Sequence, residues 1–330
     1  VTDRFLPAIL AEFALAPGEP IATGLRRLSL QQFDAIVVDL RQGSDLDVAV
    51  HSTRKATKRV RSILRLVRSE IGDRAYRVEN QVLRDASRLL APIRDDRVMV
   101  ETVSNLRDRY RTLLDPQAFA EVVERLQVRA EVRRDSIVAA GAVEAAATAL
   151  SAARSRYAAW PEEGDVAAGL YGRKPIRNRF GSIEPGLRRT YGGGRRDMGA
   201  ALGNRDVHAI HSWRKRVKYL RHQLEILNPL FPEMLDASAG ALDHLGELLG
   251  TEHDLAVLAA LLDTNPGLCP DPLERSVLQA LARHRRGELL NAAQVLGNRI
   301  YAESPDRFIL RMESYWRSAV TPISSRSPVW

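Results

Sequence analysis

The sequence predicts an all-α protein, a helical bundle made of two pseudo-symmetric helical halves around a basic cleft. Three observations lead there. Apolar residues recur at helical spacing, and period-two alternation of β-branched residues is missing. Proline and glycine punctuate segments of helix length. One amphipathic stretch, residues 50–68 (VHSTRKATKRVRSILRLVR), returns at residues 210–227 (IHSWRKRVKYLRHQLEIL) with a constant offset of 160 positions. Such a repeat implies two copies of one helical unit, with the two basic faces turned toward a shared cleft.

In chain order, a lead-in with Pro7, Pro17 and Pro20 precedes a first helix over about 22–40, whose apolar set is Leu25, Leu28, Phe33, Ile36, Val37 and Leu40. Gly43, Ser44 and Asp45 break it. The first basic helix follows to about Ile71, where Gly72 suits a C-terminal position and Asp73 the next N-cap. A third helix is expected to stop at Pro92, with a helical continuation over 93–114. From Asp115–Pro116 to Tyr157 the pattern reads as one long Ala-rich helix. Residues 161–205 are different: glycine clusters alternate with Arg173, Lys174, Arg177, Arg179, Arg188, Arg189, Arg195 and Arg196. Glu184–Pro185 suits a helix start there, and Gly192–Gly194 counts against its middle.

The second half repeats the first. Asn204 or Asp206 caps the second basic helix and Pro229 closes it. At an offset of 159, Leu83, Leu89, Leu90, Asp95 and Val98 fall on Leu242, Leu248, Leu249, Asp254 and Val257. Two helices, about 273–300 and 305–319, end the chain. The organisation expected is a first half over 1–160, a basic connecting segment over 161–205 and a second half over 206–330.

Each basic helix divides into two faces at 100° per residue. His51, Arg54, Lys55, Lys58, Arg61 and Arg65 share one face, opposite Ala56, Val60, Ile63, Leu64 and Val67. His211, Arg214, Lys215, Lys218 and Arg221 repeat the basic register, and Trp213, Leu220, Leu224 and Leu227 the apolar one. A solvated face mixes signs, because like charges three or four residues apart cost about 0.2–0.5 kcal/mol per pair. Arg54–Lys58, Lys58–Arg61 and Arg61–Arg65 all carry that cost, and a polyanion along the face removes it. Glu225 stands at the register of Arg65, so the second basic face is shorter.

The net charge is +8 and the pI about 9.9, which suits an acidic partner. The single Cys269 excludes internal disulfides and cysteine-rich zinc sites. No segment matches a membrane span or a signal peptide, and a soluble, cytoplasmic protein is expected. No cofactor is expected. His253–Asp254, with His211 or His244 and Asp263, loosely imitates the ligand set of helical HD-type phosphohydrolases. Its first-half counterpart is Arg94–Asp95, so the repeat keeps the aspartate alone, which points to a structural residue that pairs with a basic group or caps a turn. Nucleic acid is the main rival ligand, since basic faces bind any phosphate backbone. Aromatic stacking platforms are scarce, with aromatic residues at 6 %.

The two signatures H51-S-T-R-K-A-T-K-R59 and H211-S-W-R-K-R-V-K-Y219 resemble those of the CHAD domain, the conserved histidine α-helical domain. Leu89–Val98 (LLAPIRDDRV) and Leu248–Val257 (LLGTEHDLAV) resemble that family's Leu-Gly-x-x-Arg-Asp-x-x-Val element, with His253 in place of the arginine. Gly186–Arg196 resembles the basic segment before its second half. The resemblance implies a pseudo-twofold helical bundle with a basic central cleft that binds inorganic polyphosphate, and association with polyphosphate granules. Many members are joined to a CYTH catalytic domain, for which these residues leave no room, so binding is carried over and catalysis is not. The expected contacts are His51, Arg54, Lys55, Lys58, Arg61, Arg65, His211, Arg214, Lys215, Lys218 and Arg221, with Arg188 and Arg189 facing the same site. Phosphate is expected to raise the two histidine pKa values, so that binding strengthens toward pH 6.

Overall fold

The computed structural model describes residues 13–43, 45–160, 175–204 and 206–320. The first part of the lead-in, the stretch with Arg173 and Lys174, and the tail after Val320 lie outside the described residues. Among the described residues there are ten α-helices and no strand: α1 (Ile21–Gln42), α2 (Leu46–Leu66), α3 (Arg68–Arg109), α4 (Ala120–Ala139), α5 (Ala142–Ala158), α6 (Glu184–Asn204), α7 (Val207–Ile226), α8 (Pro232–Thr264), α9 (Pro272–Ile300) and α10 (Pro305–Val320).

The repeat in sequence is a repeat in packing. Helix α1 packs on α2 as α6 packs on α7, α2 on α3 as α7 on α8, α3 on α4 as α8 on α9, and α1 on α5 as α6 on α10. The segment read as a basic connection thus ends in a helix that takes, beside α7, the place of α1 beside α2. The two basic helices α2 and α7 meet at the junction, and α3 touches α8. One core runs through both halves, with Leu25, Phe33, Val60, Ile63 and Leu64 joined to Trp213, Val217, Leu220 and Leu245. A second core holds the far ends of α3 and α8 against α4 and α9, through Val103, Leu126, Leu258, Leu278 and the buried Cys269. Each fully buried Leu, Ile or Val contributes about 1.5–3 kcal/mol.

Four boundaries differ from expectation. Helix α2 ends at Leu66, with Val67 outside helical geometry, while the break at Gly72 is also present as a residue with φ 79° inside α3. The chain therefore turns twice before the long part of α3 begins. Pro92 does not stop α3, which continues to Arg109. Proline removes one backbone hydrogen bond, at a cost of about 3 kcal/mol. Buried Leu83, Ala86, Leu90 and Ile93 before and beside it, and Met99 and Val103 beyond, hold the helix through the defect. The long Ala-rich helix is two, bent by 58° at Gly141, whose φ of 69° is left-handed. No single helix among the described residues is long and apolar enough to cross a membrane; the α4–α5 pair passes such a test only across its bend.

Helix α6 continues through Gly192–Gly194 because packing overrides propensity. Ile183, Leu187 and Tyr191 are buried, and Tyr191 stacks on Phe308 with ring centroids 4.1 Å apart. Gly194 lies against the Tyr301 hydroxyl. At Gly186 an added Cβ would sit 2.1 Å from the Leu66 carbonyl oxygen, where α6 crosses the end of α2. Gly186→Ala is expected to cost about 1–3 kcal/mol through overpacking. A thermal melt should show this as a fall of about 2–4 °C per kcal/mol, and an unchanged melt would refute the close approach.

Candidate anion-binding cleft

Both basic helices start on aspartate caps: Asp45 accepts from the Asp47 and Val48 amides, and Asp206 from the Ala209 amide. Their apolar faces are core. Ala56, Val60, Ile63 and Leu64 are buried on α2, and Ile210, Trp213, Val217, Leu220 and Leu224 on α7. At the junction the Ser62 hydroxyl donates to the Tyr219 carbonyl oxygen at 3.2 Å. That leaves the basic faces to line a cavity of about 900 Å³ between α2, α3, α6 and α7.

The cavity brings together part of the predicted set. Arg54, Lys58, Arg61 and Arg65 line it from α2, His211 and Lys215 from α7, and Arg189 from α6. His51, Lys55, Arg214, Lys218 and Arg221 do not line it, although Lys218 and Arg214 are close enough to Lys58 to act on its charge. Arg188 turns elsewhere: its Nε donates to Glu184 at 2.6 Å and its Nη1 pairs with Asp306. Residues absent from the sequence reading complete the wall: Arg68, Tyr76, Asn80, Arg84 and Arg88 from α3, and Arg216 and Tyr219 from α7. Their signal was available. Tyr76, Asn80, Arg84, Ser87 and Arg88 lie at helical spacing on one face of α3, but Asp85 between them masks the pattern.

Charge in the cavity is one-sided. Asp197 is its one carboxylate near α6, and Arg216 Nε holds it at 3.2 Å; Asp95, at the rim, holds Arg54 at 3.1 Å. Lys58, Arg61, Arg65, Arg84 and Lys215 make no ion pair among the described residues, whereas arginines elsewhere commonly do, such as Arg27 with Glu19, Arg156 with Glu79 and Arg311 with Glu303. Arg61 donates instead to Asn80 at 3.0 Å. Arg65 donates to the Arg61 carbonyl oxygen at 2.9 Å and lies 3.8 Å above the Tyr219 ring. Arg68 lies 4.5 Å over Tyr76. Both tyrosines are thereby occupied by guanidinium groups.

A larger depression of about 1050 Å³ lies between α3, α4 and residues 266–268. Its cations are paired, Arg125 on Glu121 and Arg129 and Arg133 on Asp96. The smaller cavity differs in collecting cations that have no carboxylate partner.

Crowded cations shift one another's titration. Burial, then Lys218, Arg54, Arg214 and Arg61, push Lys58 down to about 7. Burial and Arg214 push Lys218 down to about 8, against the pull of Asp254. Burial also lowers Lys215 and Arg65. Burial, Lys215 and His253 push His211 down to about 4, and burial with Arg214 does the same to His253, whose ring centroid lies 4.7 Å away. His51 is lowered too, by burial and by Arg94. The histidines are therefore neutral in the empty cleft at neutral pH, and the groups that titrate near pH 7 are lysines.

The repeated aspartate is a pairing residue. Asp95 holds Arg54, and Asp254 stands to Arg214 in the same register and acts on its charge. Among the described residues no three His, Cys, Asp or Glu side chains gather to hold a metal ion. Asp263 is engaged by Gln279 at 2.7 Å.

The CHAD domain family model matches residues 26–263. The chain is a member of the CHAD family. Its fold is similar to the crystal structure of the CHAD domain from the plant Ricinus communis, with TM-score 0.52 and 16 % identity over 91 % of this chain and 92 % of that one. A search of curated proteins returned no significant match. In this CHAD domain the two histidine signatures supply opposite ends of the same junction, and the Arg-Asp element supplies the aspartate beside each.

Proposed function

We propose that this CHAD domain binds inorganic polyphosphate in the α2–α3–α6–α7 cleft and acts as a binding module without catalysis of its own. One observation carries the reading: a single cavity collects Lys58, Arg61, Arg65, Arg84 and Lys215 without carboxylate partners. Crowding such cations is unfavourable unless a polyanion compensates them. Arginine supplies forked donors to phosphate oxygens and lysine supplies point charges. The repetition of like charge along the wall suits a polymer with one charge per unit. Binding of long chains would also bring the protein to polyphosphate granules in the cytoplasm.

Nucleic acid is the second reading, because any phosphate backbone answers to basic groups. Against it stands the use of the cleft tyrosines: Arg65 and Arg68 cover the rings that a base would stack on. A competition titration decides. Labelled long-chain polyphosphate is displaced by unlabelled polyphosphate, tripolyphosphate, single-stranded DNA and duplex DNA at two salt concentrations. Polyphosphate is expected to compete at least about a hundred-fold better than either DNA, with a salt slope reporting several ionic contacts. Equal competition at matched charge would overturn the reading in favour of a generic basic surface.

A further inference from the structure

The five stripe residues that miss the cleft are not scattered. Carried through the repeat, the α2 wall of Arg54, Lys58, Arg61 and Arg65 becomes Arg214, Lys218, Arg221 and Glu225 on α7, and the α7 wall of His211 and Lys215 becomes His51 and Lys55 on α2. The packing repeats as well. Arg54 and Lys58 border the cleft with Ala91 and Ser87 of α3, and the guanidinium group of Arg214 and the stem of Lys218 lie against Gly250 and Gly246 of α8, the equivalent positions. The pseudo-twofold fold thus builds a second, twin face between α7 and α8.

The outer wall of that twin face is opposite in sign. Where α3 presents Arg84 and Arg88 to the cleft, α8 carries Asp243 and Glu247 at the offset of 159. The consequence is visible at Arg221. It pairs with Asp243 and donates from Nε to the buried Glu225 at 2.8 Å, whereas its counterpart Arg61 meets only neutral Asn80. Burial opposes the charge on Glu225, but His222 and Arg221 hold its carboxyl down at about 2, so it stays ionised. Asp243 is 43 % exposed and Glu247 is exposed, so both would confront an incoming anion.

We infer that Arg84 and Arg88 select which of the two related faces takes the polyanion, and that Asp243 and Glu247 close the twin, so that each molecule holds one phosphate chain. The inference rests on the cleft being a polyphosphate site. It assigns α3, outside the histidine signatures, as the specificity wall. The same backbone would otherwise offer two sites of similar charge.

Isothermal titration calorimetry with tripolyphosphate at low salt tests this, with circular dichroism confirming that each variant is folded. The parent is expected to take one ligand per chain. R84E/R88E is expected to bind at least about ten-fold more weakly, through lost attraction and added repulsion. D243R/E247R places on α8 the arginines that α3 carries and is expected to take two ligands per chain. D243N/E247Q removes the opposing charge with less perturbation and is expected to shift stoichiometry in the same direction, which covers the case in which the double arginine variant unfolds. Two ligands per parent chain, unchanged affinity in R84E/R88E, or one ligand per chain in folded variants of Asp243 and Glu247 would each overturn the inference while leaving the polyphosphate reading intact. No binding of tripolyphosphate or long-chain polyphosphate by the parent would overturn both.

Discussion

Replacing Lys58 and Lys218 together by glutamate is expected to abolish tight polyphosphate binding while leaving helical content unchanged and the ligand-free protein at least as stable as the parent. Lys58 lines the cleft and Lys218 stands behind it; burial, Lys218, Arg54 and Arg214 lower the readiness of Lys58 to carry a proton, and burial and Arg214 lower that of Lys218. Reversal at Lys58 puts a carboxylate where the phosphates would lie, and reversal at Lys218 adds a second negative charge behind it. It also relieves a cluster that the folded chain holds at a cost, since a depressed lysine pKa measures how unwelcome the charge is. Most damaging surface variants lose function by losing stability. Here the two should move in opposite directions. The single variant Lys58→Met separates the effects: it should bind more weakly by at least about ten-fold and melt higher than the parent without ligand. Titration of labelled polyphosphate and parallel thermal melts measure both. A folded double variant that retains tight binding would sink the assignment of this cleft.

Binding is expected to weaken steeply as the pH is raised from 7 to 9, in a window set by lysine rather than histidine. Lys58 in the empty cleft loses its proton near pH 7 and Lys218 near pH 8. A bound polyanion favours the protonated form of both, so binding takes up protons above those values and loses affinity as the pH rises. If only the doubly protonated form binds, the loss between pH 7 and pH 9 has a ceiling of about five-hundred-fold. His211 starts too low to add the strengthening toward pH 6 that the sequence suggests, because burial and neighbouring cations hold it at about 4, and burial lowers His51 in the same direction. Ligand-free stability should follow the opposite course. The unfolded chain keeps its lysine protons to about pH 10.4, and the folded chain sheds that of Lys58 near 7. The folded form therefore binds fewer protons between those limits, and stability rises with pH across the window. Affinity measured at several pH values, with melts of the parent and Lys58→Met beside it, checks both signs. Affinity flat from pH 7 to 9 would show that neither lysine faces the ligand.

These effects have a simple origin in the architecture. Two copies of one helical unit meet at their basic helices, so each copy's cations become the other's electrostatic environment. Burial lowers Lys58 most, and Lys218 and Arg214 of the other half add to the effect of Arg54 and Arg61 of its own. The same junction buries Tyr219, on which Arg65 rests. A ligand that bridges the halves is then bound by charges that only their contact brings together.

By itself the sequence determined the helices, the repeat and the polarity of each basic face. These are local: a 3.6-residue period shows which side of α2 holds Val60 and Ile63 and which holds Arg54, Lys58, Arg61 and Arg65, whatever the helix packs against. It also identified Asp95 and Asp254 as the retained partners of the basic face. Helix ends depended on what lies alongside. Pro92 and the Gly192–Gly194 run of α6 act as breakers in isolation, yet buried Leu90 and Ile93, and the stacked Tyr191 and Phe308, carry the helices through them. Only the tertiary structure decided which stripe residues share a cleft. A stripe has two flanks, and the crossing of α2 and α7 sends Arg61 and Arg65 to one opening and Arg221 to the other. It also brought in Arg84, Arg88 and Asn80 from a helix whose one-sided pattern is masked by Asp85 until it is laid beside α2. The lysine pKa values are set largely at this level, because burial and Coulomb interaction depend on placement in space, and Lys218 and Arg214, which act on Lys58 beside its own helix's Arg54 and Arg61, lie about 160 residues away along the chain.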